Sequence, residues 1–277
     1  MRNDTAGKNM QGPHRKFTKR AEAWVAACAV VAAAALAGMS TAFADEAQAK
    51  ALLKAMSDYL AAQKSFSFDT DTTLEIVTTD HQKLGLASSG TITVTRPDKI
   101  HATRTGGFSD VELVSDGKTV TFANKDSKQY AQVDVPGTID QLIDVLRDKY
   151  HRPLPAADLL MSDVYDQLMP LVVDVKDLGV GVIRGIDCDH LAFRTKEVDW
   201  QIWIAEGDRP YPCRFVVNSP HVSCSPEYSV DVRNWRTGTE VAADAFSYKA
   251  PADFKQVAPN EVTGMDELPA AYRPKTK

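Results

Sequence analysis

Two cysteine–histidine pairs are the residues whose types and spacing come closest to a metal site. Cys188 and His190 alternate on one predicted strand, and His221 stands three residues before Cys224. Two thiolates and two imidazoles would suit tetrahedral zinc. The spacing of these pairs, however, is not that of a known zinc finger, and prolines flank the second pair. We therefore predict no metal site, no cofactor and ordinary roles for both histidines.

Residues that could support catalysis are few. Asp69 and Asp71 are separated by one residue and could act as paired carboxylates, but on an alternating strand they form a solvated face. The chain contains no Gly-x-Ser-x-Gly, no His-Glu-x-x-His, no phosphate loop and no Gly-x-Gly-x-x-Gly. We predict that the protein is not an enzyme.

One arginine stands on an otherwise apolar strand face. Arg96 follows Ile92 and Val94 at a spacing of two residues, so the three side chains point to the same side of the strand. A guanidinium in such a place needs several acceptors. The acceptors that we expect are carbonyl groups at the C-terminal ends of a helical segment later in the chain, or its carboxylates Asp140 and Asp144.

The first 44 residues have the layout of a secretory signal peptide. A basic cluster at residues 15–20 precedes an alanine- and valine-rich run at about residues 23–38, and Ala42-Phe43-Ala44 supplies small residues for cleavage. The apolar run is shorter than the roughly 20 strongly apolar residues of a membrane span. We predict cleavage after Ala44, a periplasmic location and no stable membrane span in the mature chain.

The predicted mature chain is acidic. Residues 45–277 contain 26 Lys and Arg against 35 Asp and Glu, with no basic block. Such a surface offers no electrostatic basis for binding nucleic acid. The length is sufficient for one large domain with a full core. We place this domain at residues 45–256 and predict a flexible tail at residues 257–277.

Three cysteines remain after the predicted cleavage: Cys188, Cys213 and Cys224. An exported chain meets an oxidising compartment, so one disulfide is expected. The sequence leaves the three pairings open. Cys188 and Cys213 fall on non-adjacent predicted strands, which would separate them too far for an easy bridge. We therefore favour a disulfide between Cys213 and Cys224.

The elements that must position these residues follow from the apolar spacing. The pattern predicts a helix at residues 45–64, a meander of alternating strands, a helical insert at residues 138–169, and further strands from residue 185. A last short strand is predicted at residues 245–248. A long alternating sheet with few covering helices must curve to bury one face. The predicted fold class is α+β: a strongly curved antiparallel sheet, or unclosed half-barrel, with an N-terminal helix and an inserted helical lid.

The inward apolar side chains of these strands are candidates for lining a ligand cavity between sheet and helices. The candidates are Phe66, Phe68, Leu74, Ile92, Val94, Phe193, Trp200 and Phe215. The alternative for the aromatic members is a solid core, which is the commoner role of such residues.

Three stretches resemble the bacterial periplasmic lipoprotein carrier LolA and its relatives of the LolA/LolB type. They are the strand Gly90–Pro97, the Ser-Asp-Gly-Lys-Thr hairpin within Leu113–Asn124, and the segment Asp244–Pro251. The C-terminal half contains Asp-His-Leu-Ala-Phe-Arg and Asp-Trp-Gln-Ile-Trp-Ile, and it resembles a family of predicted exported bacterial proteins of unknown function.

The resemblance implies a half-barrel whose helical lid covers an apolar cavity for the acyl chains of lipoproteins, with Arg96 as the latch of the lid. The alternative for Arg96 is a structural tie that pairs with an acid of the insert and does not open. The expected function is therefore that of a periplasmic binding or carrier protein for an apolar ligand, such as a lipid, an acyl chain or a lipoprotein. The alternative is an interaction or sensor module of the envelope, with a filled core and a protein partner. A cavity below roughly 300 Å³ would favour that alternative.

Overall fold

The structure is a computed structural model that describes residues 45–150, 156–238, 245–265 and 268–269. The chain divides into two compact units after Ala47, and the fold described below is that of the second unit, Gln48–Lys277. The predicted signal peptide and its cleavage site after Ala44 lie outside the described residues.

The first helix, α1, covers residues 45–62 and buries one face. Its residues Ala49, Leu53, Met56 and Leu60 recur at intervals of three or four, and none is more than 1% exposed. This interval places the four side chains on one stripe of the helix. The stripe belongs to the main hydrophobic core, so the sequence pattern explains which face of α1 is buried.

Twelve strands in the described part of the chain form one sheet. The first six are β1 (Ser65–Val77), β2 (Lys83–Thr95), β3 (Lys99–Gly106), β4 (Asp110–Ser115), β5 (Thr119–Asn124) and β6 (Gln129–Asp134). The other six are β7 (Asp174–Ile183), β8 (Ile186–Arg194), β9 (Asp199–Ala205), β10 (Pro212–Asn218), β11 (Glu227–Thr237) and β12 (Lys255–Gln256).

Strand β1 joins two antiparallel meanders. It pairs with β2 on one side and with β11 on the other, so the sheet order is β12-β6-β5-β4-β3-β2-β1-β11-β10-β9-β8-β7. The short strand β12 runs parallel to β6. Because β12 and β7 end the sheet without pairing to each other, the curved sheet is open rather than a closed barrel. The predicted fold class is confirmed.

The helical insert between β6 and β7 begins with α2 (Ile139–Asp148). The Thr138 hydroxyl accepts from the backbone N–H of Gln141 (3.3 Å), and the Gln141 side chain accepts from the N–H of Thr138 (3.0 Å). This capping box satisfies donors that a helix start leaves unpaired. The buried face of α2 consists of Ile139, Leu142, Ile143 and Leu146.

Two shorter helices complete the predicted insert: a 3-10 helix at Ala157–Leu160 and α3 (Val164–Leu168). A second 3-10 helix, Met169–Leu171, leads into β7. The backbone N–H of Tyr165 donates to the Ser57 hydroxyl (3.0 Å), which connects α3 to α1. No helix within the described residues combines the length and the apolar composition of a membrane span.

Strand β7 is not predicted from the sequence, because its apolar residues face outward. Leu178, Val180 and Val182 are 50%, 64% and 63% exposed, and β7 is an edge strand. A bulge between Asp177 and Val180 also breaks the alternation with β8. The pattern of one buried and one solvated face, on which strand prediction depends, is therefore absent.

The predicted last strand at residues 245–248 is wrong. Those residues form a turn and irregular structure, although Phe246 is buried and the Tyr248 ring lies 5.7 Å from that of Tyr130. The last strand is instead β12, ten residues further on.

Residues 257–265, which belong to the predicted flexible tail, contact the sheet. Val262 is 3% exposed. The N–H of Thr263 donates to the Gln129 side chain (3.1 Å), and the Asn124 amide donates to the Thr263 carbonyl (2.8 Å). These partners come from β5 and β6, so composition alone cannot reveal that they fix the segment. Residues 270–277 lie outside the described part of the chain.

Candidate functional site

Alternate residues of β1 form the middle of a concave wall. The side chains of this strand that line a cavity are Phe66, Phe68, Thr70, Thr72 and Leu74. Asp69 and Asp71 stand between them and therefore project to the opposite face of the sheet. The two-residue period of the strand thus places the cavity-lining side chains on one face of the sheet and the two carboxylates on the other.

Strand pairing extends an apolar row across the sheet. Phe68 lies opposite Ile92, which lies opposite Ala102, and the row continues through Leu113 to Phe122. All five residues line the cavity. Side chains opposite each other on neighbouring strands are close enough to touch, so these residues form one continuous apolar surface.

The next row along the strands is more polar. Thr70 lies opposite Gly90, which lies opposite Arg104, and Arg104 lies opposite Val111. A Cβ at Gly90 would collide with the backbone carbonyl oxygen of Thr103. Glycine is thus required at this position, because the backbones approach closely there.

The helices cover this surface without filling the space beneath them. Leu60 of α1, Leu146 and Tyr150 at the end of α2, and Leu159 and Leu160 of the 3-10 helix line the other side of the cavity. The cavity volume is about 1180 Å³. Ligand pockets commonly enclose about 300–1,000 Å³, so the interior is large enough for a sizeable guest.

The structure divides the predicted cavity residues into two groups. Those that line the cavity are Phe66, Phe68, Leu74 and Ile92. Those that do not are Val94, Phe193, Trp200 and Phe215, so for these four the prediction is wrong.

The second group forms solid core. The rings of Phe193 and Trp200 are stacked with centroids 4.0 Å apart, and Phe215 lies 5.8 Å from Trp200. Val94 is fully buried. Face alternation correctly places these side chains inside. For Phe193, Trp200 and Phe215, however, neighbours on β8, β9 and β10 occupy the space that a ligand would need.

Arg96 contacts the helical insert as predicted. Its Nη2 donates to the carbonyl oxygens of Leu160 (3.1 Å) and Met161 (3.0 Å), at the C-terminal end of the 3-10 helix. Its guanidinium carbon also lies 5.6 Å from the centre of the Phe66 ring. A neighbouring backbone bond, from the N–H of Ile139 to the Pro97 carbonyl (2.8 Å), holds the start of α2 at the same turn.

Burial lowers the pKa of Arg96, and the carboxylate of Asp140 opposes this effect. Asp140 itself accepts hydrogen bonds from the backbone N–H and the hydroxyl of Ser162. Asp144 pairs instead with Arg147 (2.7 Å). Carbonyl groups, rather than either carboxylate, are therefore the direct acceptors for Arg96.

Charged groups occupy few positions in the cavity wall. Arg104 is one, in the row of Thr70 and Val111. Lys149 is another, with its ammonium 5.3 Å from the centre of the Tyr150 ring. The lining is otherwise mainly apolar.

Glu112 alternates with Val111 and Leu113, so its side chain projects to the opposite face of β4. There its Oε1 lies 2.8 Å from Nε2 of His101, and this hydrogen bond lowers the pKa of Glu112, although burial acts in the opposite direction.

The C-terminal segment forms a wall of the cavity that sequence reasoning missed. Val262, Met265 and Leu268 line it. The Met265 carbonyl accepts from Nη2 of Arg104 (2.9 Å), which attaches the segment to β3. The one sequence signal is the three-residue spacing of these apolar side chains in a segment otherwise rich in polar residues.

The histidines and paired carboxylates singled out in the sequence contact other groups of the protein. No cluster of three or more metal-ligating side chains occurs among the described residues. His190 stacks on Trp203 with ring centroids 4.0 Å apart, and the ring of His221 lies 2.9 Å from the Lys196 carbonyl oxygen. Asp71 forms ion pairs with two arginines of the outer face.

The favoured disulfide is not formed. All three described cysteines are thiols, with Cys188 and Cys213 buried and Cys224 exposed. Cys224 lies beside the carbonyl of His81, with Sγ 3.5 Å from that oxygen, whereas Cys213 lies in the same small buried cluster as Cys188.

The chain matches the model of a known protein family over most of its length. The family model described as "Predicted periplasmic protein (DUF2092)" matches residues 49–258. No curated protein matches the chain.

Several solved structures are similar in architecture. The lipoprotein LppX of Mycobacterium tuberculosis is 13% identical, with a TM-score of 0.37 over 71% of this chain and 100% of that one. MucB of Pseudomonas aeruginosa, in its complex with MucA, is 13% identical, with a TM-score of 0.43 over 76% and 63%. A LolA superfamily protein of Nitrosomonas europaea is 10% identical, with a TM-score of 0.33 over 72% and 97%. Because these TM-scores are below 0.5, function must be inferred from this chain's own residues.

Proposed function

We propose that this chain, which belongs to the DUF2092 family of predicted periplasmic proteins, binds an apolar ligand between its curved sheet and its helical insert. The ligand is a lipid, an acyl chain or the lipid part of a lipoprotein. Arg96 serves as the latch that holds the insert over the bound molecule. No catalytic step is included in this proposal.

The observation that carries the proposal is the unfilled cavity of about 1180 Å³ with a mainly apolar lining. Each methylene group that leaves water for such a lining contributes about 0.8 kcal/mol. A long hydrocarbon chain therefore gains enough free energy to offset the cost of its confinement.

The alternative, an interaction module with a filled core, fits less well. A solid interior would leave a cavity below roughly 300 Å³, and the cavity here is several times that volume. Side chains fill the part of the interior around Phe193, Trp200 and Phe215, but not the cavity beneath the helices.

The direct test is native mass spectrometry of the protein purified from the envelope without detergent, followed by organic extraction and lipid analysis. We expect an apolar molecule to be recovered in about stoichiometric amount. The proposal would be refuted if no lipid were recovered and if the purified protein also failed to bind palmitic acid.

Two matched substitutions can show whether the ligand binds in the cavity. Ala102→Trp places a large ring in the cavity wall, whereas Ala87→Trp on neighbouring β2 places the same ring on an exposed position. We expect at least 10-fold weaker palmitate binding for Ala102→Trp and unchanged binding for Ala87→Trp. Equal effects of the two substitutions would place the ligand elsewhere.

Export belongs to the same proposal. We propose that the chain is cleaved after Ala44 and works in the periplasm. Fractionation of cells that express the full chain, with N-terminal sequencing of the periplasmic product, should give Asp45 as the first residue. Retention of the uncleaved chain in the membrane or cytoplasm would contradict it.

A further inference from the structure

Two threonine side chains bring hydroxyl groups into the cavity. Thr70 and Thr72 of β1 belong to the cavity wall, and Asp69 and Asp71 beside them project to the opposite face of the sheet. Each threonine is 9% exposed. Within the part of the chain that the structure describes, neither hydroxyl takes part in a hydrogen bond. Both are therefore largely buried polar groups that are directed into the cavity and not satisfied by the fold.

Two hydroxyls on the outer face of the same strands are paired. Ser89 donates to Asp71 (2.9 Å), and Thr91 donates to Asp69 (3.1 Å). A buried hydroxyl that leaves water without gaining a hydrogen bond costs free energy, so folded proteins pair most of these groups. Valine has almost the same shape as threonine and is equally suited to a strand. A cavity wall for hydrocarbon alone would therefore be more favourable with valine on the inner face of β1.

The side chains on the neighbouring strands do not pair the two hydroxyls. Thr70 lies opposite Val232 of β11, and Thr72 lies opposite Val230. Both valines line the cavity. On β2, Ser88 lies opposite Thr72, and its own buried hydroxyl also has no partner among the described residues. A hydrogen bond in such apolar surroundings is stronger than in water, so a ligand atom that pairs with Thr70 or Thr72 gains affinity and a fixed position.

The hydroxyls lie at a definite distance from the aromatic part of the wall. Phe66 lies beneath the insert, with the guanidinium carbon of Arg96 5.6 Å from the centre of its ring, and Phe68 follows on the same face. A strand advances about 3.3 Å per residue, so Thr70 and Thr72 are roughly 13 Å and roughly 20 Å from Phe66 along β1. The wall therefore changes from aromatic to hydroxyl-bearing along one strand, which matches the polarity of an amphiphile.

Arg104 indicates which kind of polar group fits this part of the wall. It lies opposite Gly90, which lies opposite Thr70, and it also lines the cavity. Its Nη2 donates to the Met265 carbonyl (2.9 Å). A guanidinium presents donors and a positive charge but no acceptor. A ligand group near Thr70 is therefore stabilised most if it carries acceptor oxygens, as a carboxylate or an ester does.

We propose that Thr70 and Thr72 bind the oxygen atoms of an acyl head group. The hydrocarbon chain then lies beneath the insert, and the carboxylate or ester lies inside the cavity rather than in solvent. Each hydroxyl donates one hydrogen bond to a carboxylate or ester carbonyl oxygen. This inference rests on the lipid binding proposed above and adds the class of ligand, an oxygen-bearing amphiphile and not a plain hydrocarbon.

The experiment compares a hydrocarbon with two acyl ligands. Diphenylhexatriene contains no oxygen and fluoresces in apolar surroundings, so its titration reports occupancy of the cavity independently of any head group. Palmitic acid and methyl palmitate are then measured by displacement of this probe. The stronger of the two competitors identifies the source of the oxygens, which is the carboxylate of a free fatty acid or the ester of a larger lipid.

The deciding variant is Thr70→Val combined with Thr72→Val, which removes both hydroxyls and keeps the shape of the wall. A hydrogen bond of ordinary strength contributes about 5-fold to an equilibrium constant. We therefore expect at least 10-fold weaker binding of the acyl ligands and unchanged binding of diphenylhexatriene. Thr70→Ser combined with Thr72→Ser keeps the hydroxyls and should retain acyl binding. Thr73→Val, on the exposed outer face of β1, is the matched control and should change neither affinity.

The outcomes separate this inference from the proposed function. If the wild-type chain binds both kinds of ligand and the double valine variant keeps the wild-type ratio of their affinities, lipid binding stands and the role of the hydroxyls is refuted. An equal loss for the hydrocarbon and the acyl ligands in that variant would also refute it, because the threonines would then only shape the cavity. A wild-type chain that binds neither kind of ligand would refute the proposed function itself.

Discussion

The latch role of Arg96 can be tested by Arg96→Leu. Leucine suits an apolar face and keeps much of the packing against Phe66. It removes the two hydrogen bonds to the carbonyls of Leu160 and Met161. The strands should therefore remain folded while the helical insert loses its attachment to the turn after β2.

The size of the effect follows from these contacts. A hydrogen bond to a charged group is worth about 1.5–3 kcal/mol, and the contact with the Phe66 ring adds to it. The burial that lowers the pKa of Arg96 offsets part of this gain, and leucine recovers apolar contact. A net loss of about 2 kcal/mol corresponds to a roughly 30-fold larger opening constant for the insert.

Hydrogen exchange measured by mass spectrometry reports this opening. We expect faster exchange at residues 138–150 and 156–169, by about 30-fold, with unchanged protection in β1, β2 and β11. Arg194→Leu is the matched control, because Arg194 makes two hydrogen bonds with Asp199 at an exposed position. Exposed pairs contribute about 0–1 kcal/mol, so exchange in the insert should not change.

Two results would refute this reasoning. Unchanged exchange in the insert of Arg96→Leu would mean that the two carbonyl contacts do not hold it closed. Loss of protection throughout the sheet would mean that Arg96 is a structural tie for the whole domain. Faster palmitate release together with local opening would support the latch.

Three further outcomes are expected. Thr138→Ala removes the capping box of α2 and should lower stability by about 1 kcal/mol, measured by urea unfolding against a wild-type control. The lowered pKa of Glu112, caused mainly by His101, stabilises the fold above the ordinary carboxyl pKa of about 4.3, and this stability is lost as pH falls through the lowered value. Glu112→Gln should therefore flatten the acid limb of the Tm profile, and an unchanged limb would contradict this. Trp200→Ala should cost about 3–5 kcal/mol without altering palmitate affinity, because Trp200 packs on Phe193 and not in the cavity.

The sequence determined the elements whose residues alternate between an apolar and a polar environment. The amphipathic spacing of α1 and α2 and the alternation of β1 and β2 are local, so they can be predicted without knowing any partner. The same alternation placed Arg96 on the inner face, and its charge required acceptors there. Its contact with carbonyl groups of the insert was predictable for that reason.

Tertiary structure decided which inner residues border empty space. Phe68 and Trp200 have the same pattern in sequence, yet one lines the cavity and the other stacks on a neighbouring ring. A strand's period fixes the face of each side chain but contains no information about how far the covering helices extend. The wall formed by Val262 depends likewise on hydrogen-bond partners that lie more than a hundred residues away.

The cysteines also show what the sequence determines and what only the tertiary structure decides. The sequence gives their number and the predicted compartment, and these predict one disulfide. The position of Cys213 depends on a single bulge in β10, which places it in a buried cluster with Cys188 and not near Cys224. A bulge arises from the mismatch in length between two paired strands, and that mismatch exists only after the strands have paired.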